Sequence, residues 1–220
     1  MKPRLDVGTG APRYGMIVGL LLSLLGAAWT DAAAQRMDRR VAEYVERLAH
    51  ERPSPATQRR LARYEPLIRY FTGLSFTRPG VTVNASFVRA LIAAESAAIP
   101  TAVSDKGAVG LMQILPSTGR QAARALYETG YDFAYVDEAR LRDLKAEDLE
   151  TPAINLLIGC YLLDQYNLRF GNDLAKTVGA WNAGPRSVER YGGAPPYPET
   201  LELIGRVNAY YVYYGRRYRR

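Results

Sequence analysis

Apolar residues recur at helical spacing between proline and glycine boundaries, and this pattern limits the fold more than any other feature of the chain. The clearest case runs from Thr151 and Pro152, which suit the start of a helix, to Gly171, which suits its end. Strict apolar–polar alternation, which indicates strands, is weak throughout. The pattern therefore predicts an all-α fold with long loops between the helices. The stripe that this helix is predicted to bury consists of Ile154, Leu157, Ile158, Tyr161, Leu162 and Gln165.

The same signs predict further helices on both sides of this segment. Within residues 36–70 the helical spacing is interrupted by Pro53 and Pro55, so one helix precedes them and a second covers Thr57 to about Phe71. A loop follows from Gly73 to Val83. The predicted starts of later helices are Asn84 or Ser86, Asn172 or Asp173, and a position near Thr200.

The chain has one cysteine, Cys160, and one histidine, His50. A disulfide within the chain is therefore excluded, and the Cys and His ligands of a usual zinc site are missing. The same scarcity argues against Ser–His and Cys–His nucleophile systems, since a single base would have to serve. We expect no metal and no cofactor, so the chemistry should depend on carboxylates, hydroxyls, amides and backbone groups.

The chain is basic, with a net charge of +7 and a pI near 9.5. A basic surface favours anionic partners such as nucleic acid, lipid headgroups or an acidic polymer. Residues 215–220 also fit a solvated basic tail. The length of 220 residues suits one globular domain or slightly more. The basic residues of the tail are Arg216, Arg217, Arg219 and Arg220.

Residues 1–34 have the pattern of an export signal. A basic start precedes an apolar run from Met16 to Trp29, which is shorter than the roughly 20 residues of a membrane span. An alanine triplet ending at Ala34 then offers a cleavage site before Gln35. We expect an exported protein, periplasmic or cell-wall associated, without a stable membrane span after cleavage. An uncleaved anchor is the alternative, and export argues against nucleic acid as a partner.

Glu95 continues the apolar face of the third predicted helix. The spacing places its carboxyl on or beside the buried side, where burial disfavours ionisation and raises the pKa of a glutamate. A solvated glutamate at a helix end is the alternative. The apolar positions of that face are Phe87, Val88, Leu91 and Ile92.

A glycine-marked loop follows Glu95 and leads to another helix. Gly107 and Gly110 allow a positive φ or a close approach of the backbone to a ligand. Gln113 offers both a donor and an acceptor, which suits sugar hydroxyls and acetamides.

Four sequence blocks starting at Glu95 resemble the catalytic domain of the soluble lytic transglycosylases, which belong to the lysozyme-like superfamily. The resemblance covers about residues 61–214 and leaves residues 35–60 as an N-terminal helical extension or linker. The blocks are Glu95-Ser96 with Ala102-Val103-Ser104, Gly107-Ala108 and Gly110-Leu111-Met112-Gln113-Ile114; Asn155 with Gly159, Tyr161 and Leu162; Asn182-Ala183-Gly184-Pro185; and Pro195-Pro196-Tyr197-Pro198-Glu199-Thr200.

The resemblance implies an all-α, lysozyme-like domain whose long loops line a cleft for peptidoglycan glycan strands. Glu95 stands at the family's catalytic glutamate. Local loop capping is the alternative role for Ser104 and Gln113, and a charge that complements the helix dipole is the alternative for Glu199. The residues that the resemblance assigns to substrate binding are Ser104, Gln113, Leu115, Trp181, Asn182 and Glu199.

Trp181 departs from the family pattern. The family usually has a tyrosine before Asn-Ala-Gly, with its hydroxyl near the catalytic glutamate. An indole N–H donates a hydrogen bond but cannot accept one. We expect the aromatic wall to survive, while the hydroxyl role is lost or passes to another tyrosine.

The implied reaction cleaves the β-1,4 bond between N-acetylmuramic acid and N-acetylglucosamine. Protonated Glu95 donates to the leaving oxygen and then, ionised, takes the proton of the C6 hydroxyl, whose attack within the sugar yields a 1,6-anhydro product. No metal or second carboxylate is required. A hydrolytic muramidase and a non-catalytic wall-binding module are the alternatives, and a partner in a secretion machine or wall complex stays open.

Overall fold

The structure is a computed structural model that describes residues 28–218, with side chains from residue 38 onward. Every regular element in this range is helical, which confirms the predicted all-α fold. The strand-like contacts found there are isolated bridges of Val103 with Val109 and of Val109 with Ile114. The α-helices are α1 (Ala28–Leu48), α2 (Pro55–Ala62), α3 (Glu65–Thr72), α4 (Ala85–Ser96), α5 (Pro116–Glu128), α6 (Glu138–Arg142), α7 (Pro152–Arg169), α8 (Leu174–Ala183), α9 (Pro185–Tyr191) and α10 (Pro198–Arg217), and a 3-10 helix covers Ala146–Glu150.

The chain divides into two compact units. The first unit contains Arg52–Gln165 and residues 210–218, and the second contains residues 28–51 and Tyr166–Ala209. Each unit has buried apolar side chains of its own. In the first unit they include Phe71, Phe87, Leu91, Ile92, Leu111, Met112, Leu126 and Ile154, and in the second Val178, Val188, Leu201, Ile204 and Val207.

Helix α4 begins where the sequence predicts. The Asn84 side chain accepts hydrogen bonds from the backbone N–H groups of Ser86 at 2.9 Å and Phe87 at 3.2 Å, as an N-cap residue does. Arg89, buried on the same helix, donates through Nε to Glu65 Oε2 at 3.0 Å and makes a second bond to the other carboxylate oxygen. This bidentate pair fixes α4 to α3.

The single helix predicted from Thr57 to about Phe71 is wrong, because two helices occupy this segment. Helix α2 ends at Ala62 and α3 begins at Glu65. Pro66 lacks a backbone N–H, and in a continuous helix its ring would clash with the carbonyl four residues earlier, at Ala62. The break therefore follows from a proline that the sequence already displays.

Helix α7 begins at Pro152 as predicted, and Gly171 with a φ of 63° follows its end. The predicted stripe is incomplete, because residues 153–160 are buried without interruption. The helix is enclosed on all sides over that stretch rather than being amphipathic. Beyond it Leu163 and Asp164 are buried, whereas Tyr161, Leu162 and Gln165 are half-buried.

Within the second unit, α1 packs closely against α10. A Cβ added at Gly205 would lie 2.7 Å from the backbone oxygen of Tyr44 and 2.8 Å from Cδ1 of Leu48, so glycine permits this approach. Ion pairs join the same segments: Arg47 with Glu202, Arg206 with Glu51, and Arg206 with Glu202 within α10.

Most of the predicted export signal lies outside the described residues, as do positions 219 and 220 of the basic tail. Helix α1 begins at Ala28 and continues through the expected cleavage site before Gln35. No helix within residues 28–218 is both long enough and apolar enough to cross a membrane.

Candidate active site

Glu95 lies at the C-terminal end of α4, and it is half-buried. The apolar face that precedes it is buried, and Glu95 follows that face on the same helix, as the spacing predicts. Ser96 is buried and donates through Oγ to the carbonyl of Leu111 at 2.7 Å. The helix end that carries Glu95 is thus bonded directly to the glycine-marked loop.

The chain leaves α4 through two consecutive residues in the left-handed region, Ala97 at φ 50° and Ala98 at φ 61°. This conformation costs a non-glycine residue roughly 1–2 kcal/mol, so surrounding contacts must impose it. Arg60 Nε donates to the Ala97 carbonyl at 2.9 Å, and Ala98 is completely buried. Backbone strain is therefore stored two and three residues after Glu95.

Ser104 closes a tight turn within the loop. Its hydroxyl accepts a hydrogen bond from the N–H of Ala108 at 3.0 Å, and its own N–H donates to the Ala108 carbonyl at 2.9 Å. Gly107, at φ 75°, donates its N–H to the Ser104 carbonyl at 2.8 Å. Ser104 thus has the loop-capping role, and contact with a glycan stays a prediction for it.

Gln113 also stabilises the loop from within. Its Nε2 group donates to the carbonyls of Ala102 and Gly110, both at 3.0 Å, and its backbone adopts a φ of 50°. These two bonds use the N–H donors of the side-chain amide. They do not involve its carbonyl oxygen. Glycan contact through that oxygen stays a prediction.

Asn155, on α7, is completely buried, and its amide bonds to three backbone groups. Nδ2 donates to the carbonyls of Val109 at 3.0 Å and Leu149 at 2.8 Å, and Oδ1 accepts from the N–H of Met112 at 2.9 Å. A Cβ added at Gly110, whose φ is 86°, would lie 2.2 Å from Asn155 Nδ2. Glycine therefore allows the loop to lie directly on the amide.

Gly159, one helical turn after Asn155 on the same face of α7, accommodates the side chain of Met112. A Cβ at this position would lie 2.2 Å from Met112 Sδ. Met112 is completely buried, so it belongs to the core. The second sequence block thus provides the surface on which the loop of the first block packs.

Leu115 is 44% exposed at the start of α5. Two other apolar residues of the same loop region are also exposed, Ile99 at 40% and Val103 at 62%. Exposed apolar side chains suit contact with the apolar face of a ligand. For Leu115, contact with a sugar stays a prediction.

In the second unit, Trp181 is half-buried near the end of α8. Its ring meets that of Tyr166 edge-on, with centroids 6.3 Å apart and an interplanar angle of 75°. Burial raises the pKa of Tyr166, so its hydroxyl stays protonated at neutral pH. The tyrosine ring that Trp181 contacts is therefore uncharged.

Asn182 connects the end of α8 to the start of α10. Its Nδ2 donates to Glu199 Oε1 at 3.3 Å, and its Oδ1 accepts from Thr200 Oγ1 at 2.5 Å. Thr200 is completely buried, whereas Glu199 is exposed in the first turn of α10. The third and fourth sequence blocks are thereby joined. The first-turn position of Glu199 also fits a charge that complements the helix dipole.

The predicted site residues fall into both units. The family blocks include Asn155, Ser96 and Thr200, but the sequence does not predict the contacts that these residues make. One signal was available for Asn155, since a polar residue inside an apolar helical run usually bonds to buried backbone groups. The first unit holds Glu95, Ser104, Gln113 and Leu115, and the second holds Trp181, Asn182 and Glu199.

The all-α fold of this protein is lysozyme-like. Residues 80–203 match the Transglycosylase SLT domain family. The chain belongs to that family, as its four sequence blocks indicate.

The chain is similar to the soluble lytic murein transglycosylase of Escherichia coli strain K12, with 29% identity over 164 residues. It is also 29% identical over 147 residues to the putative soluble lytic murein transglycosylase of Haemophilus influenzae. The two matches cover 69% and 61% of this chain. Each spans 23% of the relative, so the chain corresponds to about a quarter of those proteins.

Two solved structures show the same fold. The crystal structure of the 70 kDa soluble lytic transglycosylase of Escherichia coli is 28% identical, with a TM-score of 0.55 over 69% of this chain and 24% of that one. The X-ray structure of an inactive glutamate-to-glutamine mutant of lytic transglycosylase Slt from Pseudomonas aeruginosa is 26% identical, with a TM-score of 0.50 over 61% and 22%.

Proposed function

We propose that this protein is a lytic transglycosylase that cleaves peptidoglycan. The observation that carries the proposal is the position of Glu95. This residue is half-buried next to a strained turn, within the residues that match the Transglycosylase SLT domain family. The names of the relatives, soluble lytic murein transglycosylases, support murein as the substrate class.

Glu95 serves as both acid and base in this proposal. A single carboxyl can fill both roles because it receives a proton after it has given one. Its half-buried position keeps bulk water from part of the side chain. The inactive glutamate-to-glutamine mutant of the Pseudomonas aeruginosa relative supports an essential glutamate in this family.

The reaction makes two proton transfers through Glu95 and exchanges one bond at the anomeric carbon of N-acetylmuramic acid. Glu95 donates its proton to the glycosidic oxygen as the bond from C1 to that oxygen breaks. The Glu95 carboxylate then removes the proton of the C6 hydroxyl, and O6 bonds to C1 of the same sugar. The attack is intramolecular, so it has a large entropic advantage over attack by water. The glutamate ends protonated, as it began, and no water is consumed.

The glycan contacts in this proposal come from the residues that the family resemblance assigns. In the first unit, the carbonyl oxygen of Gln113 accepts from a sugar hydroxyl or acetamide, and Leu115 lies against an apolar sugar face. In the second unit, Trp181 offers an aromatic face, and Asn182 orients Glu199. The export pattern of residues 1–34 agrees with a periplasmic or cell-wall location, where murein lies.

Mass analysis of fragments released from purified sacculi tests the reaction. We expect 1,6-anhydromuramyl ends, lighter than hydrolytic ends by the mass of one water. Reducing muramic acid as the main product would make the protein a muramidase. That chemistry needs a positioned water and a second carboxylate, for which Asp105 and Glu199 are the exposed candidates.

The role of Glu95 is tested by Glu95→Gln, which keeps the size of the side chain but cannot transfer a proton. General acid–base catalysis contributes about 10²–10⁴-fold, so lysis should fall by at least about a hundredfold while the circular dichroism spectrum is unchanged. Glu128→Gln is the matched control, because Glu128 is 68% exposed on α5 and touches Arg124 only at 4.0 Å. Lysis by Glu95→Gln at the control's rate would end the assignment.

A further inference from the structure

The segment 109–113 connects two parts of the first unit. On one side the amide of Asn155 bonds to the backbone of Val109 and Met112. On the other side the carbonyl of Leu111 accepts the 2.7 Å hydrogen bond from Ser96, the residue after Glu95. A path of short polar contacts therefore runs from α7 through this segment to the end of α4.

The contacts of Asn155 require an amide. Its Nδ2 group donates to two carbonyls and its Oδ1 accepts from one N–H, all within 3.0 Å and without exposure to solvent. Neither a carboxylate nor a hydroxyl supplies two donors and one acceptor in a planar group. A buried carbonyl left without its donor keeps its full desolvation cost, so loss of the amide should displace the segment.

The other end of this path is strained. Ala97 and Ala98 both hold left-handed conformations that alanine rarely adopts. Such a backbone relaxes when the contacts that impose it are lost. Ser96 precedes this turn and is held by its bond to Leu111, so we expect a displaced segment 109–113 to loosen the turn.

We propose that Asn155 is a positioning residue for Glu95. It acts through segment 109–113 and Ser96, and it sets the position from which the Glu95 carboxyl meets its substrate. The proposal rests on the proposed function of Glu95. Because Asn155 is completely buried, it touches no substrate, so its loss should lower kcat and leave KM unchanged.

The decisive variant is Asn155→Asp, which keeps the shape and the acceptor but loses both donors. Near neutral pH the introduced carboxylate would face the carbonyls of Val109 and Leu149, and a misplacement of the Glu95 end should lower kcat on soluble glycan strands by about tenfold to a hundredfold. Burial and the two carbonyls raise the pKa of the introduced carboxyl. At mildly acid pH its protonated form donates one bond again, so the ratio of its kcat to that of the wild type should rise as the pH falls.

The matched control is Asn84→Asp, the same substitution at the N-cap of α4. Asn84 is exposed, and its side-chain oxygen accepts its cap bonds, which a carboxylate does equally well. This variant should match the wild type at every pH. An unchanged kcat for folded Asn155→Asp, or a kcat ratio that does not change with pH, would overturn the proposal.

Amide hydrogen exchange provides a readout that does not depend on activity. In Asn155→Ser, which introduces no charge and covers the case in which Asn155→Asp fails to fold, residues 96–102 should exchange faster than in the wild type. Helix α5 should keep its protection. Unchanged exchange at residues 96–102 would show that Asn155 does not support the turn after Glu95. A wild-type protein that releases no fragments from sacculi would instead refute the proposed function alone.

Discussion

At the residue scale, substitutions of Trp181 test what an aromatic side chain at this position contributes to lytic activity. Its ring contacts Tyr166 edge-on and remains half-exposed on α8. We expect Trp181→Tyr to keep substantial lytic activity, because a phenol ring preserves an aromatic face. Trp181→Ala should lose about tenfold or more, equivalent to about 1.4 kcal/mol of transition-state stabilisation.

The measurement is the initial rate of lysis of purified sacculi by each folded variant. Tyr191→Ala serves as the control, since Tyr191 also makes an edge-on ring pair in the second unit, with Tyr197. If Trp181→Ala lysed sacculi as fast as this control, the indole would have no role in the reaction.

Asp164 is a buried carboxyl on α7 that the proposed reaction does not use. Thr77 Oγ1 donates to its Oδ2 at 2.5 Å, and the residue is 3% exposed. Burial raises its pKa, and the Thr77 hydrogen bonds and the charge of Arg78 oppose this rise without cancelling it. The folded state therefore binds a proton at Asp164 more tightly than the unfolded state does.

Because the pKa of Asp164 is raised on folding, its contribution to the free energy of unfolding changes with pH in a known direction. Below its unfolded pKa of about 3.9, both states are protonated and ionisation costs nothing. As the pH rises from this value towards the raised folded pKa, the free energy of unfolding falls, because the unfolded state releases this proton more readily than the folded state does. Asp164→Asn should therefore be more stable than the wild type at neutral pH, with the advantage shrinking towards about pH 4.

Urea unfolding of both proteins across this pH range measures the effect, with Asp132→Asn, an exposed loop substitution, as the control. An advantage of Asp164→Asn that grew as the pH fell would reverse the inferred sign.

At the scale of elements, α10 contains two glycines whose surroundings differ. Replacing each by alanine distinguishes the effect of close packing on stability from the effect of helix propensity. Gly205 leaves no room for a Cβ beside the Tyr44 backbone, whereas Gly215 has nothing within 4 Å. We expect Gly205→Ala to lower the free energy of unfolding by about 1–3 kcal/mol through overpacking against α1. Gly215→Ala should raise it by about 0.5–1 kcal/mol, because alanine loses less conformational entropy in a helix.

Thermal and urea unfolding of the two variants provide the comparison. The pair controls for itself, since both substitutions add one methyl group to the same helix. Equal stabilisation by both would mean that α1 does not pack on α10 in solution.

The helix starts show how far local sequence determines elements. Asn84 and Asp173 cap α4 and α8 through bonds to backbone groups two or three residues away, as predicted. Helix α10 starts at Pro198, two residues before the predicted Thr200, because proline suits the first turn. Short elements such as α6 and α9 have too few residues for a periodic pattern, so their existence depends on packing.

At the scale of the whole molecule, the contacts of α1 bear on export. The contacts with α10 described above are made by Tyr44, Arg47 and Leu48, which follow the expected cleavage site. Cleavage before Gln35 would therefore leave these contacts intact. We predict that protein isolated from whole cells has its N-terminus at or near Gln35, which N-terminal sequencing or intact mass would show. A cytoplasmic chain that retains Met1 would contradict the export signal.

The sequence by itself determined the helical class, the starts of α4, α7, α8 and α10, and the position of Glu95 on the helix after an apolar face. These features depend on neighbours within one or two helical turns, which is the range that a pattern of residues records. The family blocks added the identity of the candidate site residues, because their order and spacing are specific.

Only the tertiary structure decided what the polar residues of the site region bond to. Ser96 reaches Leu111 across 15 positions, and Asn155 reaches Val109 across 46. Such pairs form because packing brings distant segments together and a buried polar group must then find a partner. For the same reason Gln113, which the sequence presented as a ligand contact, uses its amide donors to hold its own loop.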